Sequence, residues 1–248
     1  MAALTRTDGG WVATDRDGVC AVLDSPDLGV PSVPPCDTIG TIAWLRASVS
    51  RFVNGPEHDA RRARVQELIA GLDPDTLRER ARRRAAAGSD DRYVVAVTLA
   101  EDLGTQRPDD VAAAVLECAD AYFPGADAAT EQRGDAAVRR LVDLLGTDDL
   151  ELTVARIAML VQACDATALL IGTLRTGSTE PPLRAMRRVA LIDTVVAGQA
   201  ITAGDVVICD IAKASAGPLE LTFGHGPRAC PAAPAAQAIA TGAAAVSR

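Results

Sequence analysis

The sequence predicts a mainly α-helical protein with a small β region late in the chain. Aromatic residues make up only 3% of the 248 residues, and the alanine that takes their place favours helices. Segments typical of helices continue as far as residue 174, whereas short alternating segments separated by glycines follow Pro182. The length suits one large domain or two small ones, and we expect a single domain, residues 1–248, that buries its core without disulfides.

The predicted helices lie between clear turn signals. Residues 10–24 are typical of a short strand, a turn and a short helix, and a proline-rich connection follows at 31–35. An Asn-Gly-Pro turn at 54–56 precedes the next helix, and Pro74 after Asp73 marks a first helical turn. The helices are predicted at 38–53, at 57–72, from residue 74 onward, and at 91–104, 108–123 and 127–146.

The most apolar long segment spans residues 152–174, and its only charged residues are Arg156 and Asp165. It is too long for a typical strand, so the sequence predicts a buried central helix that ends near Gly177. Short strands follow, and residues 223–248 form a Gly/Pro-rich loop that leads into an alanine-rich helix. The order is therefore a helical body with a late β region.

Charge and cysteine usage narrow the class of protein. The chain has 33 acidic and 25 basic residues, a net charge of −8, whereas a general nucleic-acid binder needs a basic footprint. Residues 1–18 contain no apolar signal core, and no stretch approaches the roughly 20 uncharged apolar residues of a membrane span. The six cysteines form no C-x-x-C pair. We therefore expect a cytoplasmic protein with reduced thiols that binds neither nucleic acid nor membrane.

The late loop from Phe223 to Pro231, FGHGPRACP, is the most informative feature. It lacks the Gly-Lys-Ser/Thr of a phosphate loop and the third glycine of a dinucleotide fingerprint. The chain has only two histidines, which are too few for a zinc site with paired ligand spacings. No G-x-S-x-G elbow is present, although composition alone leaves a Ser-His-Asp triad open.

This loop resembles the haem-ligand loop of the cytochrome P450 family, F-x-x-G-x-[RH]-x-C-x-G. Four fixed positions are matched, by Phe223, Gly226, Arg228 and Cys230, while Ala232 replaces the final glycine. The resemblance implies that Cys230 ligates the iron of haem b, because a thiolate is a strong anionic donor to haem iron. Glycines let the backbone bend close to the sulfur, and a positive neighbourhood keeps the sulfur deprotonated. The alternative is a buried structural cysteine in a glycine-rich turn.

Two further matches concern the haem propionates. His58 and Arg62 resemble the H-x-x-x-R of a family helix, and residues four apart share one helix face. Arg188 matches an arginine in the strand region R-V-A, and its guanidinium fork suits a carboxylate. The resemblance implies that His58, Arg62, Arg188 and Arg228 lie near the propionates. The alternatives are a surface His–Arg pair and a surface arginine cluster at a strand end.

The predicted central helix resembles the family helix that crosses the haem, whose usual pattern is A-G-x-[DE]-T-T. Asp165 matches the acid and Thr167 the second threonine, whereas Ala166 stands in the position of the first threonine. In ordinary members the acid and the first threonine help to deliver protons to iron-bound oxygen, so the resemblance implies altered oxygen chemistry here. Thr167, water or a substrate hydroxyl is the expected substitute. The alternative for Asp165 is a buried acid held by a local hydrogen bond.

The chain also departs from the family pattern by being much shorter than an ordinary member. No E-x-x-R follows the central helix, and the only such spacing, Glu79 to Arg82, lies in an early charged helix. The segments 173–181 and 214–219 are too short for the family's J and K helices and for its meander. The resemblance therefore describes a truncated P450-like fold, whose haem pocket is more open or is completed by a partner subunit.

Three hypotheses for function remain. The first is a haem-thiolate oxidoreductase that monooxygenates a small organic substrate in secondary metabolism, such as antibiotic biosynthesis, with electrons from a ferredoxin-type partner. The missing threonine extends it to peroxide-driven or atypical chemistry. The second is a non-catalytic derivative that binds haem or recruits a partner, and the third is an unrelated helical protein with accidental matches. A shortened fold can leave apolar surface that a homodimer covers.

Overall fold

The computed structural model describes residues 4–246, and within them the chain divides into two compact units. The first unit combines residues 4–31 with 176–231, and the second combines residues 32–175 with 232–246. The chain therefore crosses between the units three times. The single domain expected for residues 1–248 stays a prediction, and each unit has its own architecture.

All seven strands of the described residues lie in the first unit. Its elements are β1 (Leu4–Thr7), β2 (Gly10–Ala13), α1 (Arg16–Asp24), β3 (Leu28–Gly29), β4 (Ala185–Ala190), β5 (Thr194–Val196), β6 (Gln199–Ile201), β7 (Val206–Asp210) and α9 (Ile211–Ala214). Five strands form a sheet in the order β1-β2-β7-β4-β3, in which only the pairing of β2 with β7 is parallel. Strands β5 and β6 form a separate antiparallel hairpin. The late β region predicted from sequence is confirmed. The early strands β1, β2 and β3 belong to the same sheet as the late strands β4 and β7.

Helix α1 covers this sheet with one apolar face. Gly18, Val19, Val22 and Leu23 are buried, a three- and four-residue spacing that places them along one side of the helix. Asp15 caps its first turn, because one carboxylate oxygen accepts a hydrogen bond from the Gly18 amide at 2.7 Å. The core of the unit combines this face with residues of β2, β7 and α9.

The second unit is helical. It contains α2 (Ile42–Ser48), α3 (Gly55–Ala70), α4 (Pro74–Ala86), α5 (Asp91–Asp102), α6 (Pro108–Ala121), α7 (Ala128–Leu145), α8 (Leu150–Thr176) and α10 (Ala233–Ala244). The predicted helices agree with these bounds within a few residues, except that the helix predicted at 38–53 is the shorter α2, followed by a 3-10 turn, Ser50–Phe52. Aspartates at 73, 90 and 127 accept backbone hydrogen bonds at the starts of α4, α5 and α7, as the N-cap preference requires.

Helices α4 and α10 pack at close range. A Cβ atom at Gly242 would overlap the backbone carbonyl oxygen of Arg78, so only a glycine allows this approach. The buried residues of α10 are otherwise small, mostly alanine. Small side chains on α10 therefore set the short distance between the two helices.

Helix α8 extends the predicted central helix to 27 residues. The predicted buried central helix is present, but only half of its most apolar window is buried. By length and composition this helix is also long and apolar enough to cross a membrane. The sequence analysis did not anticipate this, because it considered only stretches of uncharged apolar residues. Partly buried core helices meet the same criterion, so this is weak evidence for a span.

The two connections that are too short for the family's J and K helices and for its meander contain neither an α-helix nor a strand. Residues 177–184 link α8 directly to β4, and residues 215–225 are turns and coil. The early E-x-x-R pair lies on α4, where the guanidinium of Arg82 donates two hydrogen bonds to the carboxylate of Glu79, at 2.8 and 2.9 Å. Both side chains are half exposed, so this is a surface ion pair.

Candidate functional site

The candidate cysteine loop begins with a tight turn at Gly224. The Gly224 amide donates to the carbonyl oxygen of Leu221 at 2.9 Å, and Gly224 has a φ of +75°. This left-handed conformation favours glycine. Leu221 is buried in the core of the first unit, which anchors the start of the loop.

Gly226 brings the loop against the end of α1. Its φ is +68°, and a Cβ atom there would overlap the Oδ1 atom of Asp24 and lie 2.9 Å from the carbonyl oxygen of Leu23. Two separate reasons therefore favour glycine at position 226: the positive φ of its backbone and the close approach of the backbone to Asp24 and Leu23. A 3-10 turn, Gly226–Arg228, follows.

Cys230 closes the loop through its backbone and exposes its side chain. Its amide donates to the carbonyl oxygen of Phe223 at 2.7 Å, and the Ala229 amide donates to that of Gly226 at 3.0 Å. Cys230 is the one exposed cysteine of the six, so the alternative of a buried structural cysteine is wrong. By contrast, burial raises the pKa of the Cys209 thiol from 9.0 to about 12.

Arg188 lies inside the first unit on β4, opposite Val207 of β7. Its side chain is only 6% exposed, and one guanidinium nitrogen donates to the carbonyl oxygen of Arg187 at 3.0 Å. A buried arginine within a strand differs from the surface cluster that the sequence left open as an alternative. Arg228 is half-buried in the 3-10 turn, two residues before Cys230.

The donor set of the loop fits a haem better than a free metal ion. Among residues 4–246, no group of three or more His, Cys, Asp or Glu side chains is arranged to hold a metal ion. A single exposed thiol suits a metal whose other ligands come from a macrocycle, whereas a structural zinc ion needs four protein ligands. The residues present therefore fit a haem iron ligated by Cys230.

His58 and Arg62 lie one turn apart on α3, in the second unit. His58 is only 5% exposed, and its Nδ1 atom is 2.8 Å from the Oδ1 atom of Asp59. Arg62 is half-buried. The alternative of a surface His–Arg pair therefore does not describe His58.

On α8, the three residues predicted to act on oxygen have different surroundings. Asp165 is 49% exposed and lies 2.7 Å from the Nε atom of Arg92 on α5. Thr167 is buried, whereas Ala166 is exposed. Asp165 is thus neither a buried acid nor held by a local hydrogen bond, which corrects the alternative reading of this residue.

Arg92 is the centre of an ion-pair network that the sequence did not reveal. Its guanidinium also lies 2.8 Å from the Oδ1 atom of Asp120. Burial lowers the pKa of Arg92, but the hydrogen bond to Asp120 and the charge of Asp165 outweigh burial and raise it. Asp165 therefore has a cationic partner on another helix, α5.

The predicted site residues are divided between the two units. Phe223, Gly226, Arg228, Cys230 and Arg188 belong to the first unit, and His58, Arg62, Asp165, Ala166 and Thr167 belong to the second. Sequence reasoning missed Asp24 and His225, whose side chains meet beside the loop with Nε2 and Oδ2 3.1 Å apart. His225 occupies a variable position of the motif, so no signal in the sequence pattern identified it.

Comparison with solved structures identifies the fold. No protein-family model and no curated protein sequence matches the chain. Substrate-free CYP109E1 from Bacillus megaterium matches with a TM-score of 0.70 and 14% identity, over 98% of this chain and 86% of that one. P450BioI, in complex with acyl carrier protein ligated to hexadec-9Z-enoic acid, matches with a TM-score of 0.69 and 14% identity, over 95% and 84%. P450 RauA, complexed with a biosynthetic intermediate of aurachin RE, matches with a TM-score of 0.67 and 16% identity, over 98% and 84%.

These three structures are all cytochromes P450, and each aligns with nearly the whole chain. At 14–16% identity the likeness concerns the fold. The resemblance of the cysteine loop and the match in three dimensions point to the same fold. The chain therefore has a truncated cytochrome P450-like fold.

Proposed function

We propose that the protein is a haem-thiolate oxidoreductase that binds haem b through Cys230 and acts on a small organic substrate. The observation that carries this proposal is the exposed thiol of Cys230 at the end of a closed, glycine-shaped loop. When bound, the haem would supply the activation of oxygen or peroxide. The P450-like fold of the chain supports this class of chemistry.

The chain's own residues supply ligation, charge and placement. The amides of Ala229 and Cys230 are hydrogen-bonded within the loop, which holds the backbone that leads to the sulfur. The propionate roles assigned by the resemblance to His58, Arg62, Arg188 and Arg228 remain part of the proposal. Their side chains are hydrogen-bond donors or cations, which are the groups that bind carboxylates best.

Oxygen activation is proposed to be atypical. Ala166 has no hydroxyl, and Asp165 is paired with Arg92. These two features remove the most direct source of protons for reductive activation of oxygen. We therefore place peroxide-driven oxidation or a rearrangement beside monooxygenation among the reactions proposed.

The biological setting belongs to the same proposal. A ferredoxin-type partner would supply electrons if the reaction is reductive, and a homodimer would cover apolar surface. Secondary metabolism is the proposed setting, with antibiotic biosynthesis as one form of it and the cytoplasm as the location. The intermediate bound to P450 RauA illustrates such a setting for a protein of similar fold.

The spectrum of the reduced carbonyl complex tests the haem proposal. Purified protein should be red, and its carbonyl complex should absorb at the long-wavelength position that defines thiolate ligation. Cys230→Ser should abolish that band because the hydroxyl is a poor donor to iron. Cys36→Ser is the matched control, since Cys36 is another cysteine that is not fully buried. A colourless protein that takes up no added haem would contradict the proposal.

The second candidate is a haem-binding protein without turnover, favoured by the pairing of Asp165 with Arg92. Ala166→Thr separates it from the first candidate because the change restores the hydroxyl of the family pattern. If reductive oxygen activation is limited by that hydroxyl, reductant-driven turnover should rise about tenfold or more. Native peroxide use should leave reductant-driven turnover unchanged. No turnover with either oxidant, before or after the change, would favour the non-catalytic candidate.

A further inference from the structure

The cysteine loop and the segment that precedes it, residues 215–222, have little regular structure of their own. Their shape therefore depends on the contacts that hold them. Residues 215–230 contain only the 3-10 turn Gly226–Arg228 and a few turn hydrogen bonds. Two of these residues reach the same helix, α1, one near its start and one at its end. We name these two contacts the front clasp and the rear clasp.

The front clasp joins Arg16 to Glu220. The Nε atom of Arg16 donates to the Oε1 atom of Glu220 at 2.7 Å. The other carboxylate oxygen of Glu220 accepts from the Ala216 amide at 2.6 Å. These two hydrogen bonds hold the pKa of Glu220 below its ordinary value, the bond from Ala216 having the larger effect. One carboxylate thus fixes the backbone of the segment that precedes the cysteine loop and links that segment to α1.

The rear clasp joins His225 to Asp24. The Nε2 atom of His225 is 3.1 Å from the Oδ2 atom of Asp24. Because an ionised carboxylate can only accept, the imidazole donates this hydrogen bond. Gly226 follows immediately, and its lack of a Cβ lets the backbone lie against Asp24 and Leu23. The rear clasp therefore holds the loop backbone against α1 at a point five residues before Cys230.

We infer that Arg16 and Asp24, on α1, are positioning residues that hold the loop in the conformation presenting Cys230. This inference deepens the proposed function and rests on it for the role of Cys230. The shortened segment 215–225 contains no helix to hold the loop from within, so contacts with α1 take that part. Neither residue touches Cys230 in the contacts described; each acts through the loop backbone.

The expected effect of each clasp is modest because all four side chains are partly exposed. Exposed ion pairs and hydrogen bonds of this kind shift a local equilibrium by about threefold each. Two clasps on one short loop should therefore act together by about tenfold. Effects of this size leave global stability almost unchanged, which makes local measurements the informative ones.

The first experiment measures amide hydrogen exchange in the full chain as purified. In the double variant Arg16→Ala/Asp24→Ala, the amides of Ala229 and Cys230 should exchange about tenfold faster, because opening of the loop exposes them. Conservative changes give the rescue. Arg16→Lys keeps the positive charge and Asp24→Asn keeps an acceptor oxygen, so both should retain most of the protection.

The control is an ion pair of the same kind elsewhere. Arg82→Ala breaks the exposed Glu79–Arg82 pair on α4 and should leave exchange at Ala229 and Cys230 unchanged. The second readout is the fraction of haem with the thiolate spectrum after haem addition, which should fall in the double variant and recover with the conservative changes. A merely structural role would lower the melting temperature without this spectroscopic change.

Two failures can be told apart. If wild-type protein shows no thiolate-ligated haem, the proposed function fails, and the exchange measurement still decides whether α1 holds the loop. Unchanged exchange at Ala229 and Cys230 in the double variant would overturn the inference, whatever the haem spectrum shows. Equal acceleration by Arg82→Ala would overturn it as well, because the effect would then not depend on α1.

Discussion

Exposure separates Cys230 from Cys118, Cys164 and Cys209. Burial raises the pKa of each of these three thiols from 9.0 to about 12. The thiolate is the reactive form, so the raised pKa keeps these three thiols protonated and unreactive at neutral pH. Cys230 has no such burial, because its side chain is exposed.

Alkylation should report this difference directly. At pH 8, iodoacetamide should label Cys230 at least about a hundredfold faster than Cys209, since burial also blocks access of the reagent. Peptide mapping by mass spectrometry after timed quenching measures the two rates. Comparable labelling of the four cysteines before unfolding would contradict the burial described here.

Gly226 is the residue where the loop conformation is most demanding. Gly226→Ala should destabilise the protein by about 1–3 kcal/mol, because alanine meets both the strain of positive φ and an overlap with Asp24. Urea unfolding measures this change. Gly217→Ala is the matched control within the same loop, since nothing lies within 4 Å of its would-be Cβ. The control should stay within about 0.5 kcal/mol of wild type. Equal effects of the two substitutions would argue against the close approach at Gly226.

Among the helices, the packing of α4 against α10 is the contact most sensitive to side-chain size. Gly242→Ala should cost about 1–3 kcal/mol because its methyl group would force the helices apart. Gly172→Ala on α8 is the opposite case, as nothing lies within 4 Å of its would-be Cβ and alanine favours the helix by about 1 kcal/mol. Thermal unfolding should therefore show a lower melting temperature for the first variant and an unchanged or higher one for the second. A melting temperature for Gly242→Ala at or above that of wild type would contradict the packing described.

Helix α8 shows which properties of a helix the sequence predicts and which it does not. Its existence and approximate length follow from an apolar run that is too long for a strand. Its partial exposure does not follow, because the run is apolar on all sides and gives no periodicity to distinguish faces. The ion pair of Asp165 with Arg92 was likewise hidden, since the partner lies on another helix.

At the scale of the whole molecule, local signals predicted the elements and the motif predicted the fold. Proline and aspartate marked the starts of helices, such as Pro74 after Asp73, because capping depends on adjacent residues. The cysteine loop was recognised because its fixed residue types are close together in the chain. The clasps from α1 escaped detection because Asp24 and His225 are 201 positions apart and carry no shared pattern. The division into two units depends on all tertiary contacts together, which a single sequence does not reveal.

The parallel pairing of β2 with β7 has a consequence for the order of folding. During synthesis, residues 10–13 leave the ribosome long before residues 206–210, so β2 lacks its partner β7, the middle strand of the sheet, for most of the time in which residues 4–210 are made. Helix α1 and its two clasp residues are likewise made first and receive the cysteine loop last. Closure of the cysteine loop against α1 should therefore be a late event in folding, because its two contacts join residues 204 and 201 positions apart.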